Sequence, residues 1–269
     1  MDPRDLFAAS TPLVGMAHLP ALPGAPRHEQ SRDKLRARAL ADAHTLTENG
    51  VDGVLVENFG DAPFYPDEVP AHVVAEMTAT ARELSLAVDT PLGVNVLRND
   101  AEAALAVAAA AGGSFIRVNV HTGAAVTDQG LLEGQAHETV RLRERLDAEV
   151  AVFADIDVKH ATQLGTRDRA TLVRETIDRG LADAVVVSGP ETGEPADDED
   201  LLVTLDGRDE ATRDVPVFIG SGVTPETAPA LLDRADGAIV GTALKDGEQT
   251  TNRVDADRVR ALVEAVRST

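Results

Sequence analysis

Short apolar runs of strand length recur along the whole chain: Leu13–Ala17, Gly53–Val56, Leu92–Val96, Phe115–Val120, Val150–Ala154, Ala184–Val187, Val217–Ile219 and Gly237–Val240. Between them lie stretches rich in Ala, Leu, Arg and Glu whose apolar residues return every three to four positions. The clearest are Lys34–Glu48, Pro70–Ser85, Asp100–Ala111, Gln135–Leu146, Thr166–Arg179 and Thr224–Arg234. The first pattern predicts strands buried on both faces, the second amphipathic helices. Their alternation predicts βαβ units. Eight strands in 269 residues match one closed barrel, which typically takes about 250 residues. The predicted fold is therefore α/β, a single (β/α)8 TIM barrel over residues 1–269, with an open doubly wound sheet as the alternative.

Connection lengths differ between the two ends of such a barrel. Helix-to-strand links are short, as in Asn49-Gly50-Val51-Asp52, Asp89-Thr90-Pro91, Gly112-Gly113-Ser114 and Arg234-Ala235-Asp236. Several strand-to-helix links are long: Leu19–Asp33, Phe59–Pro70, His121–Gly134 and Gly189–Asp200. The long links collect on the C-terminal face of the strands, where barrel enzymes work. The Pro-rich Leu19–Pro26 and the acidic Glu194–Asp200 are candidate lids.

The last two strands end alike. Val217-Phe218-Ile219 runs into Gly220-Ser221-Gly222, and Ala238-Ile239-Val240 runs into Gly241-Thr242. Glycine without a Cβ lets backbone amides approach an anion closely, and a helix following the turn adds unpaired N–H groups. Paired glycine turns on the final strands of a parallel barrel make a phosphate cradle. Gly220, Ser221, Gly222, Gly241 and Thr242 are the expected phosphate ligands.

Polar residues interrupt other strands. Glu57 ends the second, Asn95 lies near the end of the third, and Arg117, Asn119 and His121 alternate along the fourth. Asp155, Asp157 and Lys159 alternate at the end of the fifth if it stays extended, and His18 closes the first. With a period of two, each set shares one face, while the alternate face is apolar and meets the helices. The polar face then looks into the barrel, where charges need partners. Arg117 is placed to reach Glu57 or Asp155. The candidate catalytic residues are Asp155, Lys159, Glu57, His18, Asn95, Asn119, Arg117 and Asp157. His44, His72 and His137 fall in helical stretches, whereas His121 and His160 lie near the mouth. Asp155, Glu57 and His18 have donors suited to Mg²⁺, though no spacing demands a metal and no cofactor is required. H-E-x-x-H, G-x-x-x-x-G-K-[ST] and G-x-S-x-G patterns do not occur, so metalloprotease, P-loop and hydrolase-elbow chemistry lack support.

Composition changes the setting more than the fold. The net charge of −21 and the absence of Trp argue against a nucleic-acid surface. No cysteine is present, which fits a cytoplasmic protein without disulfides; the chain shows no apolar membrane span and no signal-peptide pattern at Met1–Ser10. Of 25 basic residues only Lys34, Lys159 and Lys245 are lysines, against 46 acidic residues. That balance suggests a protein adapted to high salt, where dense carboxylates hold water and their repulsion is screened.

Several segments together resemble the BtpA family. They are Val14-Gly15-Met16-Ala17-His18-Leu19-Pro20, Asp52–Asp61, Gly93-Val94-Asn95-Val96-Leu97-Arg98-Asn99-Asp100, Phe115–Val120, Val126-Thr127-Asp128-Gln129-Gly130, Ala154–Ala161, Gly180–Ala184 and Ile219–Gly222. The similarity runs from about Leu13 to the C-terminus. It implies a barrel of the ribulose-phosphate-binding type; the family name records an effect on photosystem I accumulation in cyanobacteria, not a reaction. Some members are labelled phosphoribosylanthranilate isomerases, whose pattern has a cysteine base ending strand one and an aspartate acid ending strand six. His18 and Ser188 stand at those places, and a serine does not replace a carboxylic acid near neutral pH.

The function expected from the sequence is a cytosolic barrel enzyme acting on a phosphorylated small molecule, a sugar phosphate or phosphoribosyl compound. The chemistry expected is isomerisation, epimerisation or aldol-type cleavage, with a Schiff base at Lys159 as one version of the last. The alternative is a non-catalytic BtpA-like assembly or regulatory factor that keeps the barrel and the phosphate site. A homo-oligomer is compatible with either.

Overall fold

The computed structural model describes residues 2–156, 161–165, 167–189 and 197–268. Among them the strands are β1 (Leu13–His18), β2 (Gly53–Glu57), β3 (Leu92–Asn95), β4 (Phe115–Val118), β5 (Ala124–Thr127), β6 (Gly130–Glu133), β7 (Ala151–Ile156), β8 (Ala161–Gln163), β9 (Ala184–Val187), β10 (Val217–Ile219) and β11 (Gly237–Val240). Eight of these close into a parallel barrel in the order β1-β11-β10-β9-β7-β4-β3-β2. The barrel is the predicted (β/α)8 fold, and its closure rules out the open sheet. All eight predicted strands are present, and the last three have the predicted ends.

The helices are α1 (Arg32–Glu48), α2 (Ala71–Ala87), α3 (Ala101–Ala111), α4 (Ala136–Arg145), α5 (Arg169–Asp178), α6 (Asp198–Asp209), α7 (Ala228–Leu232) and α8 (Ala256–Arg267). Short polar side chains start several of them. Ser31 caps α1, and Asp100 caps α3 by accepting from the Ala103 amide at 2.8 Å, which satisfies a donor the helix cannot. The helix predicted over Thr224–Arg234 shortens to α7. Pro225 has no amide to give, and Thr224 and Thr227 tie the backbone into a turn first, with Thr227 Oγ1 donating to the Gly222 carbonyl at 2.9 Å. No helix among the described residues is long and apolar enough to cross a membrane.

Two layers fill the barrel interior. At the base, Phe115, Phe153 and Phe218 pack with ring centroids 4.7 Å and 5.0 Å apart, and Phe7 of the N-terminal segment closes the bottom, 6.0 Å from Phe115. Leu55, Val186 and Ile239 complete this plug. Above it, toward the strand C-termini, the inward positions become polar. A larger apolar shell between strands and helices, including Leu46, Met77, Leu84, Ile116, Val152 and Ile219, holds the helices on.

The long connections behave differently from one another. Leu19–Pro26 is no loose lid: Leu19 and Leu22 are buried, the Leu19 amide bonds the Glu57 carbonyl at 2.8 Å, and the Leu22 amide bonds Asp61 Oδ1 at 2.7 Å. Asp197–Asp200, counted within the second candidate lid, is instead the capped start of α6, and Glu194 lies outside the described residues. The links after β4 and β7 form an unpredicted antiparallel sheet in the order β6-β5-β8.

Candidate active site

The C-terminal ends of the barrel strands surround a cavity of about 440 Å³ lined by residues from both halves of the barrel. On one side, β1, β2 and β3 bring His18, Glu57 and Asn95 into adjacent register. His18 Nε2 lies 3.7 Å from Glu57 Oε1, and Glu57 Oε2 accepts from Asn95 Nδ2 at 2.7 Å. Asn95 therefore fixes one carboxylate oxygen and the imidazole sits beside the other.

On the opposite side, Arg117 of β4 grips Asp155 of β7 with two hydrogen bonds, Nε to Oδ2 at 3.0 Å and Nη2 to Oδ1 at 2.8 Å. Asn119 Nδ2 donates to Asp155 Oδ2 at 3.1 Å, and Arg117 Nη2 reaches Ser188 Oγ at 3.2 Å. Of the partners the sequence allowed, Arg117 takes Asp155. The Asp155 side chain is 0 % exposed, and it stands behind Arg117 and Asn119, which line the cavity. Burial alone would lower the Arg117 pKa, but the Asp155 charge and hydrogen bond, with Glu57, raise it above the usual arginine value. Asn119 Oδ1 is buried with no hydrogen-bond partner among the described residues, an acceptor facing work still to do.

His121 does not join this face. Strand β4 stops at Val118, so the alternation that aligned His121 with Arg117 ends before it. His121 Nε2 instead lies 2.8 Å from the Gly180 carbonyl, and burial lowers the imidazole pKa.

The glycine turns after β10 and β11 meet in the same cavity, where Gly220, Ser221, Gly222, Val223, Thr224, Gly241 and Thr242 all contribute. Gly222 has φ 68°, the left-handed conformation that favours glycine. A Cβ on Gly241 would stand 2.9 Å from His18 Cε1, so glycine there lets the turn lie against the imidazole. Ser221 Oγ accepts from the Gly189 amide at 2.6 Å, and Thr242 Oγ1 lies 2.9 Å from Thr250 Oγ1. Both hydroxyls thus brace the turns. The Gly222, Val223, Thr242 and Ala243 amides have no acceptor among the described residues. Because β10 leads into a turn before α7 and β11 into a 3-10 turn, the available donors are loop amides; the long helix N-terminus expected after Gly222 is not part of the cradle.

A model of the BtpA family matches residues 9–268. The chain belongs to the BtpA family. It is 44 % identical over 266 residues to the photosystem I biogenesis protein BtpA of Synechocystis sp., covering 99 % of this chain and 91 % of that protein. It is 47 % identical over 253 residues to an uncharacterized protein of Thermococcus kodakarensis, covering 94 % of each. Among solved structures, N-(5'-phosphoribosyl)anthranilate isomerase from Pyrococcus furiosus superposes with a TM-score of 0.59 at 14 % identity, covering 96 % of this chain and 100 % of that one. At that identity the likeness is one of fold.

Within this BtpA-family barrel, the structure brings together His18, Glu57, Asn95, Arg117, Asn119, Asp155 and all five expected phosphate ligands around one cavity or immediately behind its wall. Lys159, Asp157 and His160 lie outside the described residues. The Mg²⁺ set of Asp155, Glu57 and His18 does not assemble: Arg117 holds the Asp155 carboxylate, and no group of three His, Asp or Glu suited to a metal occurs among the described residues. Arg98, a buried cation on the link after β3, lines the cavity and was missed by strand periodicity because it follows the strand. Burial lowers its pKa, opposed by Glu57, Asp155 and Asp128. Its position in the Asn95-Val96-Leu97-Arg98 run was the one available signal.

Proposed function

We propose that this chain is an enzyme acting on a phosphorylated small molecule, a sugar phosphate or phosphoribosyl compound, by proton transfer next to a carbonyl. One observation carries this reading: the two glycine turns after β10 and β11 open into the same cavity as the His18–Glu57 pair. The free turn amides would hold the phosphate. Glu57, fixed by Asn95, and His18 would move the proton. Arg117 and Arg98 would stabilise negative charge developing on the carbonyl oxygen, the role of preorganised cations in such steps. Asp155 would orient Arg117, and Asn119 Oδ1 would accept from a substrate hydroxyl. Lys159 and Asp157 remain proposed participants, the lysine as a Schiff-base former if the reaction is aldol-type cleavage.

The second reading, an assembly or regulatory factor, is favoured by the name of the Synechocystis relative, a photosystem I biogenesis protein. A cavity wall carrying paired charges and an unsatisfied acceptor favours the enzyme. Ribose 5-phosphate should raise the melting temperature of the wild type, and Gly222→Asp, which adds bulk and negative charge, should abolish that gain. Unchanged stabilisation of the variant would overturn the phosphate assignment. Once a metabolite screen finds a converted sugar phosphate, Glu57→Gln and His18→Ala should each lower turnover roughly 10²-fold or more while phosphate binding persists. Phosphate binding without any converted metabolite would support the regulatory reading.

A further inference from the structure

Aromatic rings are scarce in this chain: six Phe, one Tyr and no Trp. Phe7, Phe115, Phe153 and Phe218 are spent on the plug at the barrel base. Phe59 and Phe64 join no buried cluster; both are half-buried and both line the cavity. Leu97, buried on the link after β3, extends the same wall. An apolar ring left half-exposed at a cavity wall forgoes burial that a ligand can restore. Outside that plug the packed clusters among the described residues are aliphatic, so two rings at the mouth call for a partner with a flat face.

Their order round the mouth is informative. The neighbouring strands β11, β1 and β2 end in Gly241, His18 and the Phe59 turn. Gly241 lies against the His18 imidazole, and that imidazole lies against Phe59 with centroids 5.0 Å apart at 58°. Cradle, imidazole and phenyl ring thus follow one another along one wall. A phosphate at the turns, a sugar beside His18 and a ring against the phenylalanines would occupy them in sequence. Asp128 and Arg98, also lining the cavity, offer an acceptor and a donor for the polar edge of such a ring.

We propose that the cavity takes a sugar phosphate bearing a planar, unsaturated ring at the end remote from the phosphate, with Phe59 and Phe64 as its stacking surface; nucleoside 5′-monophosphates, which join such a ring to a phosphorylated sugar without a free carbonyl, are unreactive probes of that binding mode. This rests on the phosphate reading above and adds the second half of the ligand.

The test is calorimetric titration of the full chain with inorganic phosphate, ribose 5-phosphate and the 5′-monophosphates of adenosine, guanosine, cytidine and uridine. At least one nucleotide should bind tenfold or more tightly than ribose 5-phosphate, on the order of what base–aromatic stacking supplies. Phe64→Ala should remove about that advantage and leave ribose 5-phosphate affinity within about twofold. Phe64→Tyr should retain it. Phe64→Leu, which keeps apolar bulk without a π face, serves as the second variant should the alanine form misfold, and should lose the advantage too. Nucleotides binding no tighter than ribose 5-phosphate would overturn the ring proposal and leave the phosphate reading standing. Failure of phosphate, ribose 5-phosphate and every nucleotide to bind would overturn both.

Discussion

At the base of the barrel interior stand Phe115, Phe153 and Phe218; two residues further along the same strands stand Arg117, Asp155 and Gly220. Leu55 is followed in the same way by Glu57, Val186 by Ser188 and Ile239 by Gly241. A step of two keeps the same face of a strand, so each strand carries both layers and chemistry changes only along the barrel axis. Both layers are largely buried, yet they are held together differently. The lower layer gains from every apolar contact separately. The upper layer is tolerable only as a network, because an isolated buried charge costs far more than it returns. Rigid packing below therefore supports an expensive polar layer above, where the cavity opens.

Substitution should separate the two layers. Phe153→Ala is expected to lose about 3–5 kcal/mol of unfolding free energy by leaving a void among the phenyl rings, read by denaturant titration. Arg117→Met should cost a comparable amount, about 3–5 kcal/mol, by stranding the Asp155 carboxylate. Adding Asp155→Leu to Arg117→Met should recover most of that loss, since an apolar pair of similar volume replaces a buried ion pair at little cost. Failure of the double variant to recover would mean the upper layer stabilises as the lower one does.

A separate buried cation offers a pH test. Lys245 is 0 % exposed and its Nζ donates to the Met16 carbonyl at 2.8 Å. Burial lowers its pKa to about 8; Asp42 and Glu57 oppose the shift, while Arg38 and Arg253 reinforce it. The unfolded lysine keeps its proton until about pH 10.4. Between those values the unfolded chain holds more protons, so this residue favours the folded state increasingly as pH rises. Comparing wild type with Lys245→Met, the difference should move toward the wild type by roughly 3 kcal/mol between about pH 7 and about pH 10.5. Parallel profiles would show that the ammonium is not desolvated.

The weakest effect per group belongs to the surface. With a net charge of −21, the melting temperature in KCl should rise between about 0.1 M and about 2 M, as the Debye length falls from roughly 10 Å to under about 3 Å. Each exposed carboxylate contributes at most about 1 kcal/mol, so the gain should be spread over many residues. It should also be equal in wild type and Phe153→Ala, whose lesion is uncharged. A flat profile would count against adaptation to salt.

Much of this was legible from residue order. Ala184–Val187, Val217–Ile219 and Gly237–Val240 are strands with the predicted ends, because unbroken Val and Ile runs between turn residues admit little else. Period two also placed Glu57, Asn95, Arg117 and Asp155 on the inner face. The β6-β5-β8 sheet escaped prediction since β8 pairs with β5 across more than thirty residues, and no local pattern announces such a partner. Thr224–Arg234 looked helical by apolar spacing, yet its prolines and threonines bend it into a turn before α7.

Which inner-facing groups would touch was a different matter. The sequence left Arg117 free to take Glu57 or Asp155; neighbouring β4 and β7 hand it Asp155, while β1, β2 and β3 deliver His18 and Asn95 to Glu57. Arg98, Phe59 and Phe64 reach the cavity from links without periodicity. Periodicity is a property of one segment and its two faces, so it can be read along the chain. Distances across the barrel arise from closing eight strands into a ring, a condition all of them must satisfy at once.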